Sequence, residues 1–170
     1  QVAAGDVIAI RAPRFFAPGE RYSVTNGVFS PSSGSLAAAV AAYPGSVAEY
    51  YLQLPENFPE DVRSLSRDLT AEAATPYGKI LDISEYLNEI PYSDKIKAPP
   101  DGVDPVEHFL FTQKSGFCLY YASAMVVMLR SVDVPSRLAV GYLPGEPGDN
   151  PGDYLLRDSS FHAWAQVFFN

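Results

Sequence analysis

Residues 114–129 read KSGFCLYYASAMVVML and predict the central helix of the domain. From residue 117 to residue 129 the side chains are apolar nearly all round, which is typical of a helix buried within a domain. Cys118 lies at the start of this helix. Since the free N–H groups and the dipole of a helix N-terminus favour negative charge, this position favours a thiolate.

The Gly116-Phe117-Cys118 entry to the helix has a second possible use in acyl transfer. Its N–H groups can stabilise an oxyanion, and Gly116 allows a substrate to approach the backbone closely. A free cysteine on a buried helix is also commonly a small apolar core side chain. Cys118 alone therefore leaves a catalytic and a structural interpretation open.

The chain has two histidines, and one is placed to act as a base. His162 falls in a predicted strand, residues 161–169, on one face with Trp164 and opposite Ala163. A sheet face beside a central helix is where the general base for a helix-borne thiol would lie. His108 falls in a short predicted helix before the cysteine, and we interpret it as structural.

The pattern around these two residues predicts an α+β fold, with helices first and an antiparallel sheet second. Val62, Leu65 and Leu69 lie on one helical face, and Thr75-Pro76 begins a second helix that Pro91 stops. Asp104 caps a further short helix. Alternating residues then predict strands over residues 137–142, 154–157 and 161–169, and residues 158–160 form the turn before the last strand.

The expected organisation is a β-rich accessory segment over residues 1–50 and a core over residues 51–170. Alternation broken by Pro and Gly predicts strands in the first 35 residues, and an Ala-rich stretch predicts a short helix at 36–42. Further Pro and Gly residues predict a crossing linker around residues 44–57. Because the sequence begins with Gln1 rather than Met, we expect it to come from a longer precursor.

Composition excludes several classes of protein. With 47% hydrophobic and 19% charged residues, the chain of 170 residues should fold. Its net charge of -8 repels phosphate backbones, so no nucleic-acid partner is expected. No apolar run approaches the ~20 residues of a membrane span. One cysteine excludes an internal disulfide and a cysteine-cluster metal site, and we expect neither metal nor cofactor.

Two groups of motifs, spread over about residues 52–169, resemble the bacterial transglutaminase-like superfamily. The nucleophile region is matched by residues 104–111 (DPVEHFLF), 114–118 (KSGFC) and 121–124 (YASA). The strands that follow are matched by residues 134–137 (VPSR), 141–142 (GY) and 162–167 (HAWAQV). Within this superfamily, the motifs most resemble those of a membrane-anchored bacterial subgroup whose domain lies outside the cytoplasm.

This resemblance implies a papain-like transglutaminase core with a Cys-His-Asp triad. Cys118 would attack a glutamine side chain or a peptide-like amide, with His162 as its base, and the acyl group would pass to an amine or to water. The implied partners are a protein or peptide substrate and an amine co-substrate. The implied aspartate lies on the strand after the histidine strand and is expected beyond Asn170, so the core is incomplete at its C-terminus.

Further candidates follow from chemistry and position. Gln113 is a candidate oxyanion donor through its side-chain amide. Trp164 and Tyr142 are candidate walls of a substrate channel. Asp158 is close to His162 in sequence, but we interpret it as a turn residue. Leu119-Tyr120 stand where the subgroup often has polar residues, which leaves substrate preference open. A cysteine peptidase or amidase, or a binding module without activity, remain the alternative functions.

Overall fold

The computed structural model describes residues 17, 20, 30–143 and 145–170. The helices are α1 (Ser33–Ala37), α2 (Gly45–Tyr51), α3 (Glu60–Leu69), α4 (Pro76–Asn88), α5 (Pro105–Glu107), which continues as a π-helix (His108–Gln113), and α6 (Cys118–Ser131). The strands are β1 (Ser136–Tyr142), β2 (Glu146–Pro147), β3 (Tyr154–Leu155) and β4 (Phe161–Val167). Helices thus precede an antiparallel sheet, and the predicted α+β class is confirmed.

The helices α4 and α5 confirm the predicted start signals. Thr75 caps α4 by accepting a hydrogen bond from the N–H of Gly78 at 3.1 Å. The Asp104 carboxylate accepts from the N–H groups of Val106 and Glu107 at 2.8 and 3.0 Å. Each bond satisfies a donor that the helix itself leaves unpaired. A 3-10 turn, Asp158–Ser160, likewise precedes β4 where the sequence predicts a turn.

The helix α6 is the centre of the fold. It packs against β1 and β4 and also against α3 and α4. Its buried residues lie all round its axis, as the sequence predicts: Ala122, Ala124, Val126, Met128, Leu129 and Ser131. The core that it shares with α3, α4 and the π-helix includes Val62, Ile83, Leu87, Phe109 and Leu110. Each large side chain buried in this way contributes roughly 1.5–3 kcal/mol.

The strands β1 and β4 form an antiparallel pair with Gly141 opposite His162 and Ala139 opposite Trp164. On β4 the small side chain of Ala163 is buried, and Trp164 beside it is partly exposed. The described residues provide no second partner strand for β4, so one of its edges is unpaired there. The strand predicted at 154–157 is shorter than expected, because only two pairs join β3 to β2.

The N-terminal part differs from expectation. The strands predicted before residue 30 lie outside the described residues, and residues 30–50 carry helices. The linker predicted at 44–57 is wrong over α2, since Pro44 is the N-cap and Gly45 the first helical residue, where neither interrupts a helix. The helix predicted at 36–42 forms earlier, as α1, because Ser32 caps it by accepting from the N–H of Ser35. The helix α2 spans the boundary drawn at residue 50, and that division stays a prediction.

Within the described ranges, no helix is both long and apolar enough to cross a bilayer.

Candidate active site

Cys118 is the first residue of α6, as predicted. Phe117 before it is the N-cap, with an extended backbone and no capping hydrogen bond from its side chain. The cysteine is partly exposed rather than buried. A thiol at this end of a 14-residue helix lies in the positive field of the dipole and remains accessible to a substrate.

An open cavity of about 390 Å³ lies beside Cys118. Three elements line it together with Tyr92: α4 through Ser84, Leu87 and Asn88, α6 through Cys118, Tyr121, Ala122 and Met125, and β4 through His162, Ala163, Trp164 and Ala165. The cysteine and the histidine predicted to act together are thus brought to one cavity. Its size falls within the range of small-ligand sites.

His162 reaches the cavity from β4. Four consecutive residues of this strand, 162–165, line the cavity, although successive side chains point to opposite faces of a sheet. The cavity is therefore bordered by residues from both faces of β4. In the described part of the chain no hydrogen bond joins the thiol to the imidazole. Such contacts are often longer before substrate binds.

Trp164 is the predicted channel residue that the structure brings to the cavity. Its ring lies over the backbone of Gly141 on the neighbouring strand, where a Cβ would come within 3.0 Å of the indole. Gly141 therefore provides the space for this indole. Trp164 is 37% exposed, enough for one face to meet a ligand.

The other sequence candidates lie elsewhere. Gln113 does not line the cavity, and its amide nitrogen donates to Ser115 Oγ at 3.1 Å. Tyr142 is exposed and packs edge-on against Phe161 at 5.8 Å, also away from the cavity. His108 lies in the π-helix and Asp158 in the 3-10 turn, and neither borders the cavity. Their interpretation as structural residues stays a prediction.

Tyr92 lines the cavity although no sequence pattern identifies it. It follows the end of α4, and its phenol oxygen accepts a hydrogen bond from the N–H of Cys118 at 3.4 Å. No periodicity or cap marks it, because the contact joins residues 26 positions apart. Ser84 and Asn88, the polar groups that α4 contributes, were also missed; they lie on the α4 face that turns toward Cys118.

Acidic groups are absent from the cavity as far as the structure describes the chain. Neither Asp nor Glu lines it, so the carboxylate that would orient His162 is not provided by the residues described. Nor do those residues contain a group of three or more His, Cys, Asp or Glu that could hold a metal ion.

A cysteine at the start of a buried helix, beside a strand histidine on an α+β core, defines the papain-like class of folds. The family model described as the transglutaminase-like superfamily matches residues 63–170. The chain belongs to this family, whose members are typically cysteine-dependent enzymes.

Similarity to individual proteins supports this family assignment. Over 119 residues the chain is 38% identical to a protein-glutamine gamma-glutamyltransferase of Pseudomonas aeruginosa PAO1, covering 69% of this chain and 18% of that protein. The crystal structure of the periplasmic domain of TgpA from Pseudomonas aeruginosa has a TM-score of 0.65 at 31% identity, covering 75% of this chain and 44% of that one.

A more distant structure supports the fold alone. It comes from Cytophaga hutchinsonii and is described as a proposed cysteine protease, with a TM-score of 0.52 and 18% identity over 75% of this chain and 39% of the other. The chain therefore spans less than half of these solved structures and about a fifth of the curated relative.

Proposed function

We propose that this chain is the acyl-transfer domain of a protein-glutamine gamma-glutamyltransferase-like enzyme. Cys118 is its nucleophile and His162 its general base and acid. The observation that carries the proposal is that both side chains line one cavity, with Cys118 at the N-terminus of a buried helix. The activity in the name of the Pseudomonas relative supports the same chemistry.

The reaction begins with the Cys118 thiolate and a protonated His162. Sulfur forms a bond to the carbonyl carbon of a glutamine side chain, and the π electron pair moves to the oxygen. When the C=O bond reforms, the C–N bond breaks and ammonia leaves with the proton of the imidazolium. An amine or water then attacks the thioester, His162 takes its proton, and the thiolate leaves again.

The cavity suits a glutamine side chain on a protein or peptide. Leu87, Met125 and Trp164 offer apolar contacts for its methylene groups, and Ser84 and Asn88 offer polar atoms on the α4 side. The similarity to a periplasmic domain supports a location outside the cytoplasm. We assign Trp164 to the wall of the acyl channel, so Trp164→Ala should raise KM more than it lowers kcat.

The decisive experiment incubates the full-length protein with a glutamine-containing peptide and a labelled primary amine. Incorporation of the amine identifies a transferase, whereas ammonia release or backbone cleavage without incorporation identifies the amidase or peptidase alternative. Cys118→Ala must abolish whichever product appears. If neither product forms at any peptide concentration, the protein is a binding module and the proposal fails.

Alkylation tests the state of the thiol separately. A thiolate paired with His162 should react with iodoacetamide at similar rates at about pH 6 and about pH 8, whereas the reaction of an ordinary thiol is about 100-fold slower at the lower pH. His162→Asn should restore the steep dependence on pH. If the alkylation rate of the wild-type protein already depends on pH as that of an ordinary thiol does, the proposed pairing is contradicted.

A further inference from the structure

Tyr92 meets the nucleophile at its backbone and not at its sulfur. The N–H of Cys118 donates to the phenol oxygen of Tyr92 at 3.4 Å, and the tyrosine lines the same cavity as Cys118 and His162. Within the described chain, no other hydrogen bond to a side chain caps the start of α6. A phenol is thus the polar group beside the N–H that would face a substrate oxygen.

The backbone fixes this tyrosine in place even though its side chain is 65% exposed. Tyr92 forms a parallel bridge with Gly116, two residues before the nucleophile. Ser93 donates its N–H to the Gly116 carbonyl at 2.7 Å. The Tyr92 ring also stacks on Tyr121, at 5.9 Å between centroids and 23° between planes. The phenol therefore has a defined position relative to Cys118.

The hydrogen bond from the Cys118 N–H to Tyr92 is long, so a substrate oxygen can replace the phenol oxygen as the acceptor. At 3.4 Å it exceeds the usual ~2.9–3.0 Å for N–H···O, so it is a weak contact. Because the phenol oxygen is the acceptor, its own hydrogen remains free to donate. Two donors this far apart can both contact one oxygen at roughly 2.9 Å from each, which is the arrangement of an oxyanion site.

We infer that Tyr92 donates its phenolic hydrogen to the oxyanion of the tetrahedral intermediate, together with the N–H of Cys118. The inference rests on the proposed role of Cys118 as the nucleophile. When sulfur bonds to the carbonyl carbon, the π electron pair becomes a charge on oxygen between these two donors. The charge returns to the C=O bond when the leaving group departs. Tyr92 thus takes the role that the sequence offered to Gln113.

The test compares two reactions of Cys118 in Tyr92→Phe. Acylation by p-nitrophenyl acetate passes through an oxyanion, and alkylation by iodoacetamide at a saturated carbon does not. We expect the acylation rate constant to fall by about 100-fold, the scale of one lost oxyanion donor, and the alkylation rate to stay within about threefold. Reactions of Cys118→Ala supply the background for both probes in the full-length protein.

Tyr154→Phe is the matched control, since Tyr154 is 61% exposed and does not line the cavity. It should leave both rates unchanged. Equal losses in acylation and alkylation for Tyr92→Phe would overturn the inference, because Tyr92 would then act on the thiol. So would unchanged acylation, or a wild-type thiol that the ester does not acylate. Missing amine incorporation with acylation intact counts against the transferase proposal alone.

Discussion

The hydroxyl of Tyr121 donates a 2.6 Å hydrogen bond to the carbonyl of Ile90. Tyr121 lies in the first turn of α6, and Ile90 follows the end of α4, two residues before Tyr92. The Tyr121 ring also packs edge-on against Phe109 at 5.1 Å. One side chain thus joins the nucleophile helix, the segment that carries Tyr92 and the core.

Tyr121→Phe should lower the free energy of unfolding by about 1–2 kcal/mol, because the Ile90 carbonyl loses its donor in a partly buried place. The ring contacts with Tyr92 and Phe109 remain. Urea unfolding measures the change. Tyr154→Phe, on the exposed strand β3, should change the same quantity by less than about 0.5 kcal/mol. Equal effects of the two substitutions would mean that the 2.6 Å bond contributes nothing to stability.

The raised pKa values of three tyrosines predict that the free energy of unfolding falls at alkaline pH. Burial raises the pKa of Tyr43, Tyr86 and Tyr121 above 10.0, helped by the charges of Asp133, Glu89 and Tyr92 respectively. The unfolded chain releases these protons at lower pH than the folded one, so deprotonation favours unfolding. Their contribution is complete below pH 10.0 and is lost as the pH rises through the folded-state pKa values.

Urea midpoints measured at about pH 9 and about pH 11 test this dependence. The midpoint of the wild-type protein should fall between the two. Replacing Tyr43, Tyr86 and Tyr121 together by Phe should reduce that fall, since no phenol then remains to ionise at these positions. An equal fall in the triple variant would assign the alkaline effect to other groups.

Gly116→Ala should destabilise the protein by about 1–3 kcal/mol, the usual cost of overpacking. A Cβ there would come within 2.9 Å of the Phe109 ring and 3.0 Å of the Tyr120 Cβ. Because Gly116 also pairs with Tyr92, the acylation of Cys118 should slow as well. The matched control is Gly45→Ala, where a Cβ meets nothing within 4 Å. A Gly116→Ala protein as stable and reactive as this control would contradict the packing argument.

The sequence could predict those parts of the fold that depend on local chemistry. The side chains of Thr75 and Asp104 cap the helices that they precede, so both helix starts can be predicted from the residue type. The apolar residues of α6 likewise predict a buried helix. Cys118 and His162 are singled out by chemical type together with the elements and motifs around them, and their catalytic roles stay predictions. The contact of Tyr92 with Cys118 could not be predicted, because it joins residues 26 positions apart and no local pattern marks it.

Errors near the N-terminal part have a different origin. Pro44 and Gly45 are typical of a break in the chain, although both residues are tolerated where a helix begins. The helix α2 is then stabilised by Val47, which is 3% exposed. Burial of this kind is a property of the tertiary structure, and seven residues are too few to show it as a period.

Arg130→Lys should destabilise the protein, because Arg130, the one charged residue of α6, makes three hydrogen bonds to backbone carbonyls. The guanidinium donates to the Ser136 carbonyl from Nε at 2.9 Å and Nη2 at 2.7 Å, and to the Gln53 carbonyl from Nη1 at 2.8 Å. It thus joins the end of α6 to the start of β1 and to a segment 77 residues away. Burial lowers the pKa of Arg130 from its usual value.

A lysine has one nitrogen and cannot reach both carbonyls in the same geometry, so the free energy of unfolding should fall by about 2 kcal/mol. Arg67→Lys is the control, because Arg67 is exposed and meets Glu60 at 3.5 Å. A surface pair of this kind is worth less than about 1 kcal/mol. Both variants are compared by urea unfolding near neutral pH. If Arg130→Lys costs no more than Arg67→Lys, the three carbonyl bonds add nothing to the packing of α6 on β1.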